Sequence, residues 1–392
     1  MGFRAGAPLA EGRRAAGRIG RVLSPLHALA IVLGLALAAL GHYLFWSRRL
    51  RVRTGEDELL FAVTEDGWRL ALGRRRPRGA ARSLPVLLVH GVAANRASLD
   101  FGLERYSLSA YLAAAGFDCY ALDLRGHGAS RRVRRGAKRG FTFDDHLSLD
   151  VPAALDRVRS ASGQERVLWV GHSQGGLLGM AACARYGERV AALCALGSPA
   201  FFPRRATLSP LLLALVVLAG RANRFLARML APFSGYYHPR VSEIAVNPRN
   251  VEGYVYRRML ATVVENVSSG VLRQLAGWAA RDAFASADGA VDYRALLGRC
   301  RQPALFVAAE KDRIAPPEAA EKAAAAWGGA AEVLRLGVAG RTSGDYGHAD
   351  LLFGRSAPEE VFVRVREFLV QRSEGREQPP LRGAPPARGS RP

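Results

Sequence analysis

Lysine is nearly missing from this chain. Lys138, Lys311 and Lys322 are its only representatives among 56 basic residues, the rest being arginines scattered along the whole length. The formal net charge of +22 therefore has no lysine-rich tail behind it, and the arginines form no stripe interleaved with aromatics. No helix-turn-helix or zinc-finger spacing accompanies them, so nucleic acid is not an expected partner. Cysteine is sparse too, with Cys119, Cys183, Cys194 and Cys300 and no C-x-x-C pair. Three of the four fall in apolar segments that suit buried free thiols. No cluster of His, Cys and Asp has metal-ligand spacing, and neither a metal nor another cofactor is expected. There are no internal repeats.

What is present suits a folded protein. Apolar residues make up 49% of the 392, enough for one large α/β domain with an insertion or for two ordinary domains. The arginine surplus, read with abundant Ala and Gly, fits a GC-rich coding sequence, and the same charge favours anionic lipid surfaces by about 1 kcal/mol per residue near the headgroups.

One long apolar run stands at the N-terminus. Residues 25–46 read PLHALAIVLGLALAALGHYLFW, without Asp, Glu, Lys or Arg. At about 1.5 Å per residue this is roughly 33 Å of helix, one hydrocarbon core. Tyr43 and Trp46 stand where an interfacial aromatic belt belongs. The run is read as a transmembrane signal anchor that binds membrane lipid, behind a basic segment over 1–24. A cleaved signal peptide is the competing reading, disfavoured by the run's length and the lack of a clean small-residue site. Arginines flank both ends, so charge assigns no orientation.

Beyond it, period and punctuation alternate. Leu59–Thr64 and Trp68–Leu72 read as a hairpin around Glu65-Asp66-Gly67. Pro85–Val89, Phe117–Leu122, Arg166–Val170 and Val190–Leu196 read as strands, the first a continuous apolar run suited to burial on both faces. Helices are expected over Glu104–Ala115, ending at Gly116, from an N-cap at Asp150 to about Arg159, and over Gln174–Tyr186. The alternation stops over 199–299, mostly helical with breaks at Pro210, Pro232, Pro239 and Pro248. It resumes with Ala304–Ala308, Pro317–Trp327, Glu332–Leu336 and Pro358–Val370. The expected class is α/β, a mostly parallel sheet with helices on both faces. Its core runs over 55–198 and 300–372, with a helical insertion over 199–299 and a Pro/Gly/Arg-rich disordered tail over 373–392.

The chemistry gathers at Gly171-His172-Ser173-Gln174-Gly175. A G-x-S-x-G pentapeptide is weak alone, but this one ends a buried strand and opens a helix, as a nucleophile elbow requires. The helix N-terminus aims its dipole and free N–H groups at the serine. A serine hydroxyl needs a base, and the base needs an orienting acid. In chains built on such an elbow the order is Ser, acid, His. The acid is expected after the strand Ala304–Ala308, where Asp312 is preferred and Glu310 is the rival. The base is expected after the last strand, where His348 is the only histidine. For the oxyanion, the donors are the N–H groups of Gln174 and of Val92, in the loop after Val89. His90, His127 and His172 are read as supporting turn residues.

These residues carry a family resemblance. His90-Gly-Val-Ala-Ala-Asn95, Asp123-Leu-Arg-Gly-His-Gly128, Phe141-Thr-Phe-Asp-Asp145 with Asp150-Val-Pro-Ala-Ala154, Gly171-His-Ser-Gln-Gly175 and Gly347-His-Ala-Asp-Leu351 together resemble the α/β-hydrolase superfamily. Within it the chain is most similar to the acid-lipase and polyhydroxyalkanoate-synthase-like branch. The resemblance spans about Leu84 to Val370 and implies hydrolysis or transfer of an acyl group from a small-molecule or lipid ester, with 199–299 as a cap. Two departures matter. The synthases use Cys as nucleophile, so Ser173 argues against polymerisation. Relatives often carry Gly before the acid, where this chain has Ala309-Glu310-Lys311, which keeps Glu310 open beside Asp312. Dehalogenases and epoxide hydrolases carry Asp at the elbow, which Ser173 excludes.

Within 199–299, Leu211–Leu218 runs into a stretch with Arg221, Arg224 and Arg228 beside Phe225, Leu226, Met229 and Leu230, an apolar helix leading into an amphipathic one. It reads either as core packing or as a lid over an acyl pocket or bilayer. The expected function is a membrane-anchored serine hydrolase of hydrophobic carboxylic esters. The alternatives are an acyltransferase or thioesterase on the same triad, and a catalytically silent membrane scaffold.

Overall fold

The computed structural model describes residues 24–136, 140–202, 210–236, 238 and 240–373. The basic segment over 1–24, apart from Ser24, and the tail, apart from Ser373, lie outside them. By its contacts the chain divides into one unit ending at Phe45 and another beginning at Trp46. The first is dominated by a helix over Pro25–Leu50, long and apolar enough to cross a membrane. It runs past Trp46, because Ser47, Arg48, Arg49 and Leu50 contain no helix breaker and the arginines suit a helix C-terminus.

The second unit is built on one mixed sheet. Its strands are β1 (Glu58–Val63), β2 (Trp68–Arg75), β3 (Val86–Val89), β4 (Cys119–Asp123), β5 (Arg131–Arg132), β6 (Val167–His172), β7 (Val190–Leu196), β8 (Ala304–Ala309) and β9 (Ala331–Leu336). The order is β1-β2-β4-β3-β6-β7-β8-β9, with β5 paired to β2. β1, β2 and β4 pair antiparallel, while β4, β3, β6, β7, β8 and β9 run parallel.

Parallel strands are covered on both faces, and these are. Every residue of β3, β4, β6 and β7 is buried. Alternate side chains enter two separate cores. Leu87, Val89, Val167 and Trp169 join one with the helices Val151–Ser162 and Gln174–Arg185. Val86, Leu88, Leu168 and Val170 join the other with Leu108–Ala114 and Val363–Ser373. All four cysteines are free and buried. The strand order reverses direction at β3, since β4 lies on one side of it and β6 on the other. Such a reversal opens a crevice at the carboxyl ends of the strands.

Expectations change for the two helices on either side of β4. The helix through Val151 starts at Phe143, capped by Thr142, whose side chain and that of Asp145 complete a reciprocal capping box. Asp150 lies mid-helix instead of at the cap. Its carboxylate is buried and accepts from Arg125 Nε at 2.8 Å, Arg125 N–H at 3.0 Å and His146 Nδ1 at 2.9 Å. The expected helix over Glu104–Ala115 is broken at Ser107, which caps the shorter helix Leu108–Ala114 by accepting from Ala110 N–H.

Between β7 and β8 stand the helices Pro210–Leu230, Gly253–Thr262 and Ser269–Arg281. Pro210 opens the first instead of breaking it, as its fixed φ allows. Trp278, Phe284 and Tyr293 belong to the core. They pack on Phe143 at centroid distances of 5.0, 5.9 and 5.8 Å.

Arg125 has no exposed side-chain surface and also holds Asp66 at 2.8 Å. Removing one partner of a buried ion pair strands the other's charge. Arg125→Met is expected to lower stability by about 3–5 kcal/mol. Urea unfolding followed by near-ultraviolet circular dichroism measures it, and a loss under about 1 kcal/mol contradicts the assignment.

Candidate active site

Four of the five residues singled out for chemistry lie in loops leaving strand carboxyl ends, and Gln174 opens a helix there. Ser173 follows β6 directly, with φ 53° and ψ −118°. A non-glycine residue at positive φ is strained by about 1–3 kcal/mol, held here by its surroundings. Ser173 N–H donates to Leu196 O at 2.8 Å, while Ser173 O accepts from Gly176 and Leu177 at 3.0 and 3.1 Å. The turn needs small neighbours. A Cβ on Gly175 would collide with the Val89 carbonyl, and one on Gly171 with the Gly175 backbone. Trp169 Nε1–H donates to Gly175 O at 3.0 Å, tying the strand to the first turn of its helix.

β8 carries the acid loop and β9 the histidine loop. Lys311 N–H donates to Tyr346 O at 2.8 Å, pulling the two loops together. Asp312 Oδ1 accepts from the N–H groups of Ile314 and Ala315, both at 2.8 Å. Its Oδ2 lies 2.7 Å from His348 Nδ1. A carboxylate only accepts, so Nδ1 carries the hydrogen and Nε2 is left as the basic nitrogen. Glu310 is elsewhere, at 3.0 Å from Arg335 on the surface. Of the two carboxylates left open by the sequence, Asp312 is the one bonded to His348.

The serine and the Asp312–His348 pair meet through the end of β7. Leu196 O takes the Ser173 N–H, and a Cβ on the next residue, Gly197, would lie 3.2 Å from both Asp312 Oδ2 and His348 Nδ1. Ser173, Asp312 and His348 are 5%, 3% and 7% exposed, so the group is screened from bulk water. On the other side, a Cβ on Gly91 would lie 3.0 Å from Ser173 Cβ, which brings the Val92 loop beside the nucleophile. Gln174 is the first residue of its helix, where N–H groups have no intrahelical acceptor.

The other histidines hold loops in place. His90 Nδ1–H donates to Gly91 O at 2.8 Å and its Nε2 accepts from Leu124 N–H at 3.1 Å. His172 Nε2–H donates to His348 O at 3.1 Å, and its ring lies 4.7 Å from that of His348. Burial pushes His172 down to about 3, helped by His348. Burial, then His146, pushes His127 down to about 4. His90 is held well below the ordinary range by burial, then His127.

Asp350 is a further residue of the histidine loop. It is fully buried and accepts from Gly347 N–H at 2.9 Å, Asn247 N–H at 3.1 Å and Asn250 Nδ2–H at 3.3 Å. An acid two residues after the candidate base, ahead of the apolar Leu351, Leu352 and Phe353, was the available signal. Among the described residues no group of three or more His, Cys, Asp or Glu side chains is arranged to hold a metal ion.

A family model described as alpha/beta hydrolase fold matches residues 85–354. The lysosomal acid lipase/cholesteryl ester hydrolase of Homo sapiens is 33% identical over 142 residues, 34% of this chain and 36% of that protein. The gastric triacylglycerol lipase of Mus musculus is 32% identical over 133 residues, 31% and 33% of the two lengths. The chain thus spans about a third of the length of these curated relatives. A thermophilic esterase from Thermogutta terrifontis shares the fold. Its TM-score is 0.55 over 81% of this chain and 99% of that one, at 21% identity.

The neutral buried histidines have a consequence in acid. Between about pH 4 and 6.5 His127 binds more protons in the unfolded chain than in the native one, so the stability it contributes rises with pH there and falls as pH drops. His127→Gln is expected to flatten that fall by about one proton, or about 1.4 kcal/mol per pH unit. Denaturant titrations at half-unit pH steps measure the slope, and an unchanged slope contradicts a neutral native His127.

Proposed function

The chain belongs to the α/β-hydrolase fold family, and from that premise we propose that it is a serine hydrolase cleaving carboxylic esters of hydrophobic acyl substrates. The observation that carries this reading is the strained Ser173 turn beside the bonded Asp312–His348 pair, joined through Leu196 and Gly197. In the proposed mechanism Ser173 Oγ attacks the ester carbonyl carbon as His348 Nε2 takes its proton. The carbonyl π pair moves to oxygen, where the Val92 and Gln174 N–H groups hold the charge. Collapse breaks the bond to the alcohol, which leaves with the proton from His348. Water then repeats the sequence on the acyl-serine, releasing the acid and restoring Ser173. Asp312 holds the imidazole tautomer and stabilises the imidazolium.

The preference for lipid-like esters rests on the two relatives named as lipases, and on the insertion. Its described residues include exposed Phe225, Leu226 and Leu230 on the helix Pro210–Leu230. In this reading residues 199–299 form a cap, and Pro25–Leu50 keeps the enzyme at a membrane. Extraction with alkaline carbonate would release a chain whose helix had been cleaved as a leader, and retain an anchored one.

The triad assignment is tested on p-nitrophenyl esters with detergent-solubilised protein. Ser173→Ala is expected to abolish turnover and fluorophosphonate labelling. Asp312→Asn is expected to lower kcat by about 10³–10⁴, as loss of the orienting carboxylate does in such triads. Glu310→Gln is expected to stay within about twofold of wild type, since exposed ion pairs contribute little. Wild-type turnover by a folded Ser173→Ala protein sinks the proposal.

A further inference from the structure

The insertion touches both loops that the proposed chemistry needs, through buried polar side chains at two ends of one short segment. At the first end, residues 245–250 clamp the histidine loop. Asp350 accepts from Asn247 N–H and Asn250 Nδ2–H, Ala349 N–H donates to Ala245 O at 2.8 Å, and Asn247 Nδ2–H donates to Asp345 O at 2.6 Å. At the second end, residues 262–265 clamp the oxyanion loop. Glu265 N–H donates to Ala93 O at 2.9 Å. Asn95 Nδ2–H donates to Thr262 O at 2.9 Å and to Glu265 Oε1 at 3.0 Å. The helix Gly253–Thr262 spans the interval between the two clamps.

Glu265 has a second set of partners. Its carbonyl accepts from Asn223 Nδ2–H at 3.0 Å, and its Oε2 lies 3.3 Å from Arg224 Nη1. Asn223 and Arg224 belong to the helix Pro210–Leu230. One carboxylate, 5% exposed, therefore joins that helix to the loop bearing Val92. A carboxylate this buried is retained at a desolvation cost that only its hydrogen bonds offset. Its partners are a loop and a helix that otherwise have no covalent reason to move together.

We propose that residues 245–266 act as a strut that fixes the oxyanion loop relative to the histidine loop, with Glu265 and Asp350 as its positioning residues. The inference rests on the hydrolase reading above. In it Glu265 touches no reacting atom. It sets where the Val92 N–H points, and through Arg224 and Asn223 it makes that placement depend on how the helix Pro210–Leu230 is seated. A substrate that displaces this helix thereby reaches the oxyanion donors.

Oxyanion donors act on the transition state more than on bound ester, so a misplaced donor lowers kcat and spares KM. Steady-state kinetics on the full-length protein in detergent, with p-nitrophenyl butyrate and butylboronic acid as a tetrahedral analogue, read this out. Glu265→Ala is expected to lower kcat by about 30–100-fold with KM within about threefold, and to weaken boronate inhibition in parallel. Glu265→Gln keeps an acceptor for Asn95 and is expected to recover kcat to within about fivefold of wild type. Should Glu265→Ala fail to fold, Asn250→Ala at the opposite clamp takes its place, with an expected loss of about three- to tenfold in kcat at constant KM. A folded Glu265→Ala protein with wild-type kcat and boronate affinity overturns the strut. So does a loss confined to KM, or an unaltered Asn250→Ala protein. Ser173→Ala run alongside separates the two readings. If it is inert while Glu265→Ala is fully active, only the strut fails; if it is active, the hydrolase reading fails first.

Discussion

The hydrogen bond from Ser173 N–H to Leu196 O, across the ends of β6 and β7, holds the turn on which the rest of the site depends. Leaving β6, the chain must reverse into a helix within one residue, and it does so only with Ser173 at positive φ. That conformation costs free energy wherever it stands alone. Here the carbonyl of Ser173 closes the first turn of the helix, Trp169 ties that turn back to the strand, and Gly175 lies against the Val89 carbonyl. The same contact brings the loop after β3 beside the serine. Ser173 and the loop bearing Val92 are therefore adjacent because the sheet reverses order at β3, and the glycine lets the two backbones meet.

Around this turn the site is framed by polar groups that water cannot reach. Asp123, at the end of β4, accepts from Arg96 N–H, Ala129 N–H and the Arg96 guanidinium, holding the start of the oxyanion loop's short helix. Arg125 binds Asp150 and Asp66, joining the next loop to the helix and the β1–β2 hairpin. Each buried charge is costly alone and is stable only with its full set of partners. A network of this kind gives the loops one arrangement instead of many, because a half-satisfied alternative leaves a charge stranded. His90 and His172 do similar work without charge, each spending a ring nitrogen on a backbone group of an adjoining loop, while His127 bonds the Arg125 carbonyl within its own turn.

What was legible in the sequence followed from locality. Runs such as Pro85–Val89 and Val190–Leu196 announce themselves because a strand buried on both faces must be apolar throughout. The observed strands fall within a residue or two of those runs, and the elbow shows because five adjacent residues build it. Asp312 was preferred but Glu310 stayed open beside it, for the opposite reason. Two residues apart on one loop, they differ only in what faces them, and Arg335 and His348 arrive from elsewhere in the chain. Asp150 misled for a related reason. An Asp with a Pro two residues on is a good helix start, yet the real cap at Thr142 lay upstream and Arg125 had already claimed the carboxylate. Glu265 gave no local sign at all, since its partners Ala93, Asn95, Asn223 and Arg224 each lie at least 40 residues away in sequence.

The insertion was the least legible part. Its helices follow one another without the strand punctuation that fixes register elsewhere, and its aromatics Trp278, Phe284 and Tyr293 carry no periodic sign of the side they face. Their packing on Phe143 places them in the core beneath the sheet's helices. The insertion is therefore rooted in the domain by an aromatic cluster on one side and by buried polar clamps on the other. The chain after the N-terminal helix joins the same root, for Val52 N–H donates to Thr262 Oγ1 at 3.0 Å. Thr262 also offers its carbonyl to Asn95. One residue at the end of the helix Gly253–Thr262 thus meets the segment leading from the apolar helix and the loop beside the nucleophile. Two hydrogen bonds through that residue thus connect Val52 with Asn95, three residues beyond Val92.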